Sequence, residues 1–245
     1  MIYCCVKCGS VNVKKNGHAK NDKQQYHCND CGAGFVEMPT KNKISAETVG
    51  LIEKALLERN SLRAICRIFS VSITWLLGFA VDLYARTPKH LGVELSRQCD
   101  YDVALIESEA DEMWSFVGSK KNTKWIWIII ERASGLVIAF HIGGRTKRDA
   151  KKLWLKIPLE YRRKLFVYTD FLKSYQAALP AKQHNASGKE AGRTNHIERL
   201  NCTIRQRVAR LVRDTLSFSK KLANHIAAVG FFLFNYNREI LKRTA

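Results

Sequence analysis

Acidic residues are scarce in this sequence. Its 245 residues include 22 Asp and Glu against 41 Lys and Arg, which gives a formal net charge of +19. This imbalance favours a polyanionic partner, of which nucleic acid is the commonest, over a basic surface that is simply solvated. Hydrophobic residues make up 46% of the chain, so it can bury a core and is not intrinsically disordered.

Long apolar segments are also missing. The longest apolar stretches, Trp125–Ile130 and Ala227–Phe234, are much shorter than the ~18 residues that a membrane span requires. The N-terminal sequence MIYCCVKCGS contains no apolar signal region. We therefore expect a cytoplasmic protein without a membrane partner, in which thiols stay reduced and the eight cysteines bind metal rather than form disulfides.

Two common catalytic patterns are not found either. The sequence has no Ser-His-Asp arrangement recognisable by motif and no glycine-rich phosphate loop. Instead, its composition changes along the chain and predicts a multidomain α+β or α/β protein. The expected domains are a cysteine-rich block, a helical block and a mixed block, separated by linkers near 39–41 and 88–101; their ranges are 1–38, 42–88 and 100–245.

The cysteine-rich block contains two Cys-x2-Cys pairs, Cys5 with Cys8 and Cys28 with Cys31. Each pair can direct two thiolates at one ion, and together they predict a tetrahedral structural Zn²⁺ site in a zinc ribbon. A block of this size cannot build a stable core alone, so the metal would supply much of its folding free energy. Other candidate ligands remain open: Cys4 in place of Cys5, or a histidine, His18 or His27.

The helical block has the pattern of a helix-turn-helix. Apolar positions at three- to four-residue spacing predict helices over 45–86. Ala64 is small where two helices would cross, Val71 would fill the turn, and Ser72 would cap the next helix. The second helix, Ser72–Arg86, is mostly apolar with one basic residue, so it either reads DNA or packs at an interface or against the mixed block.

The mixed block alternates strands and helices. Hydrophobic patterning predicts three strands, a helix, a fourth strand, a polar loop and two further helices. This is the chain order of a ribonuclease-H-like domain. In order, the predicted ranges are Val103–Val117, Lys124–Arg132, Leu136–His141, Thr146–Lys156, Leu165–Tyr168, Lys182–Arg193, Asn195–Val212 and Ser217–Leu241.

Three acidic residues stand out within these elements. Asp111 lies in the first strand, Asp170 directly follows the fourth strand, and Glu198 lies in the first turn of a basic helix. Phosphodiester cleavage requires an activated nucleophilic oxygen and a stabilised leaving oxyanion, and two Mg²⁺ ions about 4 Å apart provide both. We predict that the three carboxylates are catalytic and bind two Mg²⁺ ions, which Mn²⁺ can replace.

Basic and polar residues lie near these carboxylates in sequence. An ordinary ion pair with a neighbouring arginine is the alternative role for Glu198. Glu109 shares a strand face with Asp111 and either assists the metal or faces solvent, and His196 is either structural or a DNA contact. The residues predicted to contact DNA are Lys14 and Lys15 in the first block and Arg199, Asn201, Arg205, Arg207 and Arg210 in the last.

Taken together, these motifs resemble those of transposases of the insertion-sequence-one family, from bacterial and archaeal mobile elements. The resemblance covers nearly the whole chain. It includes the paired cysteines with Lys15-Asn16-Gly17 between them, Asp111-Glu-x-Trp114-x-Phe-Val-Gly118, Thr169-Asp170, Ile197-Glu198-Arg199-x-Asn201, Arg205, Arg210 and Leu216-Ser-Phe-Ser219.

The resemblance implies a DDE recombinase with Asp111, Asp170 and Glu198 as its triad. Such an enzyme binds the terminal inverted repeats of an element, cuts them and joins the 3′ hydroxyl ends to target DNA. Its partners would be double-stranded DNA and at least one further copy of the chain, at the nucleoid of a prokaryotic cell. The alternatives are a zinc-ribbon transcriptional regulator without catalysis and a ribonuclease-H-like nuclease that cuts without joining.

Overall fold

The computed structural model describes residues 4–20, 22–36, 44–93, 105–212 and 217–244. The chain forms two compact units, Met1–Leu51 and Ile52–Ala245. The predicted linker at 39–41, most of the one at 88–101, Leu216 and the first residues of the strand predicted from Val103 lie outside the described residues. The division into three domains therefore stays a prediction.

The first unit contains a three-stranded antiparallel sheet. Its strands are β1 (Val13–His18), β2 (Gln24–Cys28) and β3 (Gly34–Val36), in the order β1-β2-β3. Tyr26 stacks on Phe35 with ring centroids 5.6 Å apart. Because the strands are short and β1 is mostly exposed, the sheet buries little apolar surface.

Three helices follow: α1 (Ala46–Ala55), α2 (Leu62–Phe69) and α3 (Ile73–Arg86). Ser61 and Ser72 cap α2 and α3, since their hydroxyls accept the backbone N–H groups of Ala64 and Trp75. Val71 is buried in the turn between them. The predicted helices, the Ser72 cap and the filled turn are thus confirmed.

The helix α3 packs on one face and is exposed on the other. Its buried residues are Leu76, Ala80 and Leu83, and Tyr84 contacts Phe231 with ring centroids 5.4 Å apart. Packing against the mixed block, one of the alternatives for this helix, therefore accounts for one face. Among the described residues, no single helix is long and apolar enough to cross a membrane; α2 and α3 meet that test only as a pair, bent by 113°.

The larger sheet has five strands in the order β6-β5-β4-β7-β8. Strands β4, β5 and β6 form an antiparallel meander, whereas β7 and β8 run parallel to β4. The parallel strands place their carboxyl ends at one edge of the sheet, where loops with functional residues commonly lie. The strand ranges are Ile106–Val117, Ser119–Glu131, Val137–Gly143, Leu165–Thr169 and His184–Ala186.

Helices cover both faces of this sheet. The run Ile126–Ile130 in β5 is at most 1% exposed, as expected for a central strand covered on both sides. One face contacts α4 (Lys147–Lys156) and α6 (Lys173–Gln176), through Asp149 and Tyr175. The other contacts α7 (Asn195–Arg207) and α8 (Leu222–Thr244).

The predicted strands and the helix before Pro158 are confirmed with shifted ends, and other features differ. The strand β5 begins five residues early, at Ser119, because Gly118 (φ 76°) makes a tight turn directly after β4. The polar loop contains β8, and neither α5 (Leu159–Lys164) nor α6 was predicted. The helix α7 ends at Arg207 rather than continuing to Val212.

Candidate active site and metal centres

Asp111 and Asp170 meet at the end of the parallel strands. Asp111 lies within β4 opposite Ile128, and Asp170 follows β7 directly. The pairing of β4 with β7 ends at Glu109 and Tyr168, each two residues before one of these carboxylates. The loop after β7 turns back on Asp170, whose Oδ1 accepts the backbone N–H of Leu172 at 2.9 Å. The strand order therefore brings together the two aspartates that the sequence predicted.

A third carboxylate, that of Glu112, joins this pair. One ligand oxygen from each of Asp111, Glu112 and Asp170 lies within 4.8 Å of the other two. Neighbouring residues of a strand point to opposite faces, but β4 has lost its pairing with β7 at this height. Because β7 no longer pairs with β4 beyond Glu109, side chains from both faces of β4 can approach Asp170. The sequence did not single out Glu112 as a candidate ligand, because alternation along a strand places it on the face opposite Asp111.

The helix α7 places Glu198 and Asn201 over the site. The amide Nδ2 of Asn201 donates to Asp111 Oδ2 at 2.7 Å. The Glu198 carboxylate accepts from the Thr194 hydroxyl at 3.5 Å and is close enough to raise the pKa of Asp111. Glu198 therefore faces the aspartates, although it is not a member of the closest group of three.

The cluster is electrostatically unfavourable without a cation. Burial, together with the charges of Asp170 and Glu198, raises the pKa of Asp111 to about 6, against hydrogen bonds from the Glu112 backbone N–H and from Asn201. Burial likewise raises the pKa of Glu112 to about 7, although Arg145 opposes that shift. Raised carboxylate pKa values of this kind are typical of functional sites that bind a positive charge.

Unpaired polar atoms surround the same carboxylates. Glu112 Oε2, the Tyr175 hydroxyl and Asn201 Oδ1 are buried and have no hydrogen-bond partner among the described residues. Buried polar atoms are normally paired, so a group of such atoms beside clustered carboxylates indicates space for a ligand. Hard oxygen donors are the ligands that Mg²⁺ and Mn²⁺ prefer. These residues fit a hard divalent cation.

Glu109 has a different role from both predicted alternatives. Its side chain is fully buried, so the expectation that it faces solvent is wrong. One carboxylate oxygen accepts the Ile197 backbone N–H at 2.9 Å, and the other contacts His196 Nδ1 at 2.7 Å and Arg132 Nε at 3.2 Å. With both oxygens engaged, Glu109 holds the first turn of α7 against β4 rather than assisting a metal.

The four predicted zinc ligands lie together in the first unit. The Sγ atoms of Cys5 and Cys31, and those of Cys8 and Cys28, are 3.6 Å apart. A tetrahedral zinc site with Zn–S bonds of 2.3 Å has S–S separations of ~3.8 Å, so the four thiolates fit Zn²⁺. Hydrogen bonds from the backbone N–H groups of Cys8 and Lys7 lower the pKa of the Cys5 thiol to about 6.

The two cysteine pairs have the same local geometry. Gly9 and Gly32 follow them with φ of 75° and 70°, and each donates its N–H to the carbonyl of the first cysteine of its pair. Cys4 is exposed and lies outside the group of four. The group also contains neither histidine that the sequence left open.

The residues predicted to contact DNA differ in how they are engaged. Lys14, Lys15 and Arg199 are exposed, and Arg205 is partly exposed. The guanidinium of Arg207 binds the carboxylates of Glu58 and Glu239, and Arg210 donates to Ser219 Oγ and the Asn224 carbonyl. Asn201 binds Asp111. The contacts of Arg207 and Arg210 stabilise the packing of helices, and that of Asn201 orients Asp111. We therefore leave these three residues out of the proposed DNA contacts.

Comparison with known proteins gives one family. A family model described as IS1 transposase matches residues 104–238. The insertion element iso-IS1n protein InsB of Shigella dysenteriae is 36% identical over 131 residues, covering 54% of this chain and 95% of that protein. The IS1 2 protein InsB of Escherichia coli (strain K12) is 33% identical over 130 residues, covering 53% and 74%.

Among solved structures, the chain is similar to one in the simian T-cell lymphotropic virus intasome in complex with PP2A regulatory subunit B56 gamma. The TM-score is 0.37 at 13% sequence identity, over 74% of this chain and 66% of that one. A similarity this distant carries no argument about fold or function.

Proposed function

The chain belongs to the IS1 transposase family, and from this premise we propose that it is a DDE transposase in which Asp111, Asp170 and Glu198 are catalytic. The observation that carries the proposal is the meeting of Asp111 and Asp170 at one edge of the sheet beneath the helix that holds Glu198. A transcriptional regulator would have no use for buried carboxylates that repel one another.

The order β6-β5-β4-β7-β8 supports a ribonuclease-H-like fold for residues 100–245. In the proposed enzyme, Asp111, Asp170 and Glu198 hold two Mg²⁺ ions. When bound, these ions would activate the attacking oxygen and stabilise the leaving oxyanion during cleavage and joining. The protein itself supplies orientation: Asn201 fixes Asp111, the loop after β7 fixes Asp170, and Glu109 fixes the start of α7.

We further propose that the first unit binds Zn²⁺ and contacts the terminal inverted repeats of the element. The exposed Lys14 and Lys15 on β1 suit contact with phosphates. Arg199 and Arg205, on the helix that holds Glu198, suit contact with the DNA near the scissile bond. Cutting two ends in a coordinated way requires at least a homodimer, acting at the bacterial nucleoid.

Strand transfer tests the proposal directly. The substrate is a pre-cleaved duplex with the element's terminal repeat, which separates joining from cutting. We expect Asp170→Asn to lose at least ~1,000-fold of joining in Mg²⁺, because it loses a carboxylate that holds the ions, while its DNA binding in a mobility-shift assay is unchanged. Glu160→Gln, on an exposed residue of α5, is the matched control. A fully active Asp170→Asn enzyme would refute the catalytic assignment.

A further inference from the structure

Glu112 is a buried carboxylate on the sheet face opposite Asp111. It pairs with Trp127 across β4 and β5, and its side chain is 1% exposed. A charged group in such a place requires compensation by an opposite charge and by hydrogen bonds to both oxygens. The structure supplies that compensation to only one of them.

Arg145 binds Glu112 in an unusual way. Its Nε and Nη2 both donate to Oε1, at 3.0 and 2.6 Å, rather than one to each oxygen. The guanidinium is held there by stacking over Trp125, 4.3 Å from the ring centroid. The ordinary fork-to-fork pairing of arginine with a carboxylate would engage both oxygens, so this geometry leaves Oε2 for another partner.

The surroundings of Oε2 indicate what that partner is. This atom is buried and has no hydrogen bond of regular geometry among the described residues. The Tyr175 hydroxyl lies beside the Glu112 carboxylate and interacts with it, but without the geometry of a full hydrogen bond. The Glu112 carboxylate also lies within 4.8 Å of those of Asp111 and Asp170. A buried carboxylate that has one oxygen without a full hydrogen bond and lies close to two further carboxylates suits a hard divalent cation.

We propose that Glu112 is a fourth carboxylate of the divalent-metal centre, binding the ion through Oε2 while Arg145 holds Oε1. The inference rests on the proposed function, because it adds a ligand to the same centre. It assigns to Arg145 the task of positioning a ligand rather than of contacting the metal. An ordinary buried ion pair is the competing interpretation, and it gives Glu112 no part in metal binding.

Binding of Mn²⁺ to the full-length chain distinguishes a metal ligand from an ordinary buried ion pair. The chain is loaded with zinc first, so that Mn²⁺ does not occupy the cysteine site. Free Mn²⁺ is measured by electron paramagnetic resonance in a titration without DNA. We compare the wild type with Arg145→Gln and with the double variant Glu112→Gln/Arg145→Gln. The double variant leaves no unpaired buried charge, so it avoids the destabilisation caused by removing one partner of a buried pair.

We expect Arg145→Gln to keep its Mn²⁺ site and the double variant to bind at least ~10-fold more weakly, since even outer-shell groups change affinity by this much. Mn²⁺ should also raise the melting temperature of Arg145→Gln and fail to raise that of the double variant. Glu107→Gln, on the exposed part of the same strand, is the control and should bind like the wild type. Equal affinities for the single and double variants would overturn the proposal.

Asp170→Asn separates this inference from the proposed function. If Asp170→Asn loses Mn²⁺ and the double variant keeps it, the centre exists without Glu112, and only the inference fails. If Asp170→Asn binds Mn²⁺ like the wild type and also joins DNA, the metal centre itself is misassigned and both fail. If Asp170→Asn and the double variant both lose Mn²⁺ binding, the result supports the proposed function and this inference together.

Discussion

The two candidate metal centres of this chain are built in opposite ways. In the first unit, the described residues bury only three hydrophobic side chains, and two of these, Cys5 and Cys28, are proposed ligands. In the second, a continuous core surrounds Ile126–Ile130, and the carboxylates lie at its edge. On the proposed assignment, zinc would replace a missing core in the first unit, whereas the core of the second unit would hold carboxylates that repel one another until a cation binds.

The largest expected effect is the loss of the first unit when zinc is removed. Structural zinc contributes about 10–16 kcal/mol in small metal-dependent domains, far more than this short sheet can provide by itself. A chelator should unfold the first unit and leave the second folded. The five tryptophans, Trp75, Trp114, Trp125, Trp127 and Trp154, all lie in the second unit, so their fluorescence reports that unit alone.

Zinc release is followed with a colorimetric chelator while tryptophan fluorescence is recorded in the same sample. Cys28→Ser should reproduce the effect of chelation, and Cys4→Ser, which changes an exposed thiol outside the group, should not. A first unit that keeps its amide hydrogen-exchange protection without zinc would remove the contrast between the two regions.

The second largest effect is expected in the second unit, where the buried carboxylate of Glu109 holds the start of α7 against β4. Glu109→Ala should lower the free energy of unfolding of this unit by about 3 kcal/mol, because it leaves Arg132 without its buried partner and the Ile197 N–H without an acceptor. Urea unfolding followed by tryptophan fluorescence measures the change. Glu107→Ala removes the exposed partner of the same arginine, 3.7 Å away, and should cost less than about 1 kcal/mol.

The two regions also differed in how well the sequence predicted them. The four cysteines could be predicted from the matching spacing of the two pairs, each followed by glycine, although Cys4, His18 and His27 stayed open as alternatives. Asp111 and Asp170 could be identified because strand order fixes where parallel strands end. These predictions depend on local geometry or on chain order, and a single sequence contains both.

Contacts that depend on three-dimensional detail were not predictable. Glu112 was missed because its approach to Asp170 depends on where β7 stops pairing with β4. Arg207 looked like a DNA contact because its partners Glu58 and Glu239 are 149 and 32 residues away. The strand β8 is a polar edge strand of three residues, too short to give an alternating pattern.

A smaller loss of stability is expected when the pH is lowered. Burial lowers the pKa of His225 to about 4, with a further contribution from Arg210, while an unfolded histidine titrates near 6.5. Between these values the unfolded chain binds a proton that the folded chain does not. The contribution of His225 to the free energy of unfolding is therefore fully present above about pH 6.5. It is lost as the pH falls towards 4, and the loss is at most about 3 kcal/mol.

This pH effect is measured as the difference between the wild type and His225→Gln in urea unfolding at pH 7 and pH 5. The difference removes the opposite contribution of Asp111 and Glu112, whose raised pKa values favour the folded state as the pH falls. The glutamine variant should lose less stability between the two pH values than the wild type does. An equal loss would mean that protonation of His225 does not limit the stability of the second unit.

The smallest expected effect is a gain of stability at the carboxylate centre. In the absence of divalent cations, Asp111→Asn should raise the free energy of unfolding at pH 7 by about 2 kcal/mol, because it removes a buried charge whose pKa is raised to about 6. The gain should disappear as the pH falls towards 4, where the wild-type carboxyl is protonated in the folded state. Saturating Mg²⁺ should reverse the order of the two proteins, since only the wild type keeps that ligand. Removal of a ligand at the cysteine centre should have the opposite sign, because Cys28→Ser weakens the zinc site on which the fold of the first unit depends. A loss of stability in metal-free Asp111→Asn would mean that the sheet depends on this carboxylate for its fold, as the first unit depends on its cysteines.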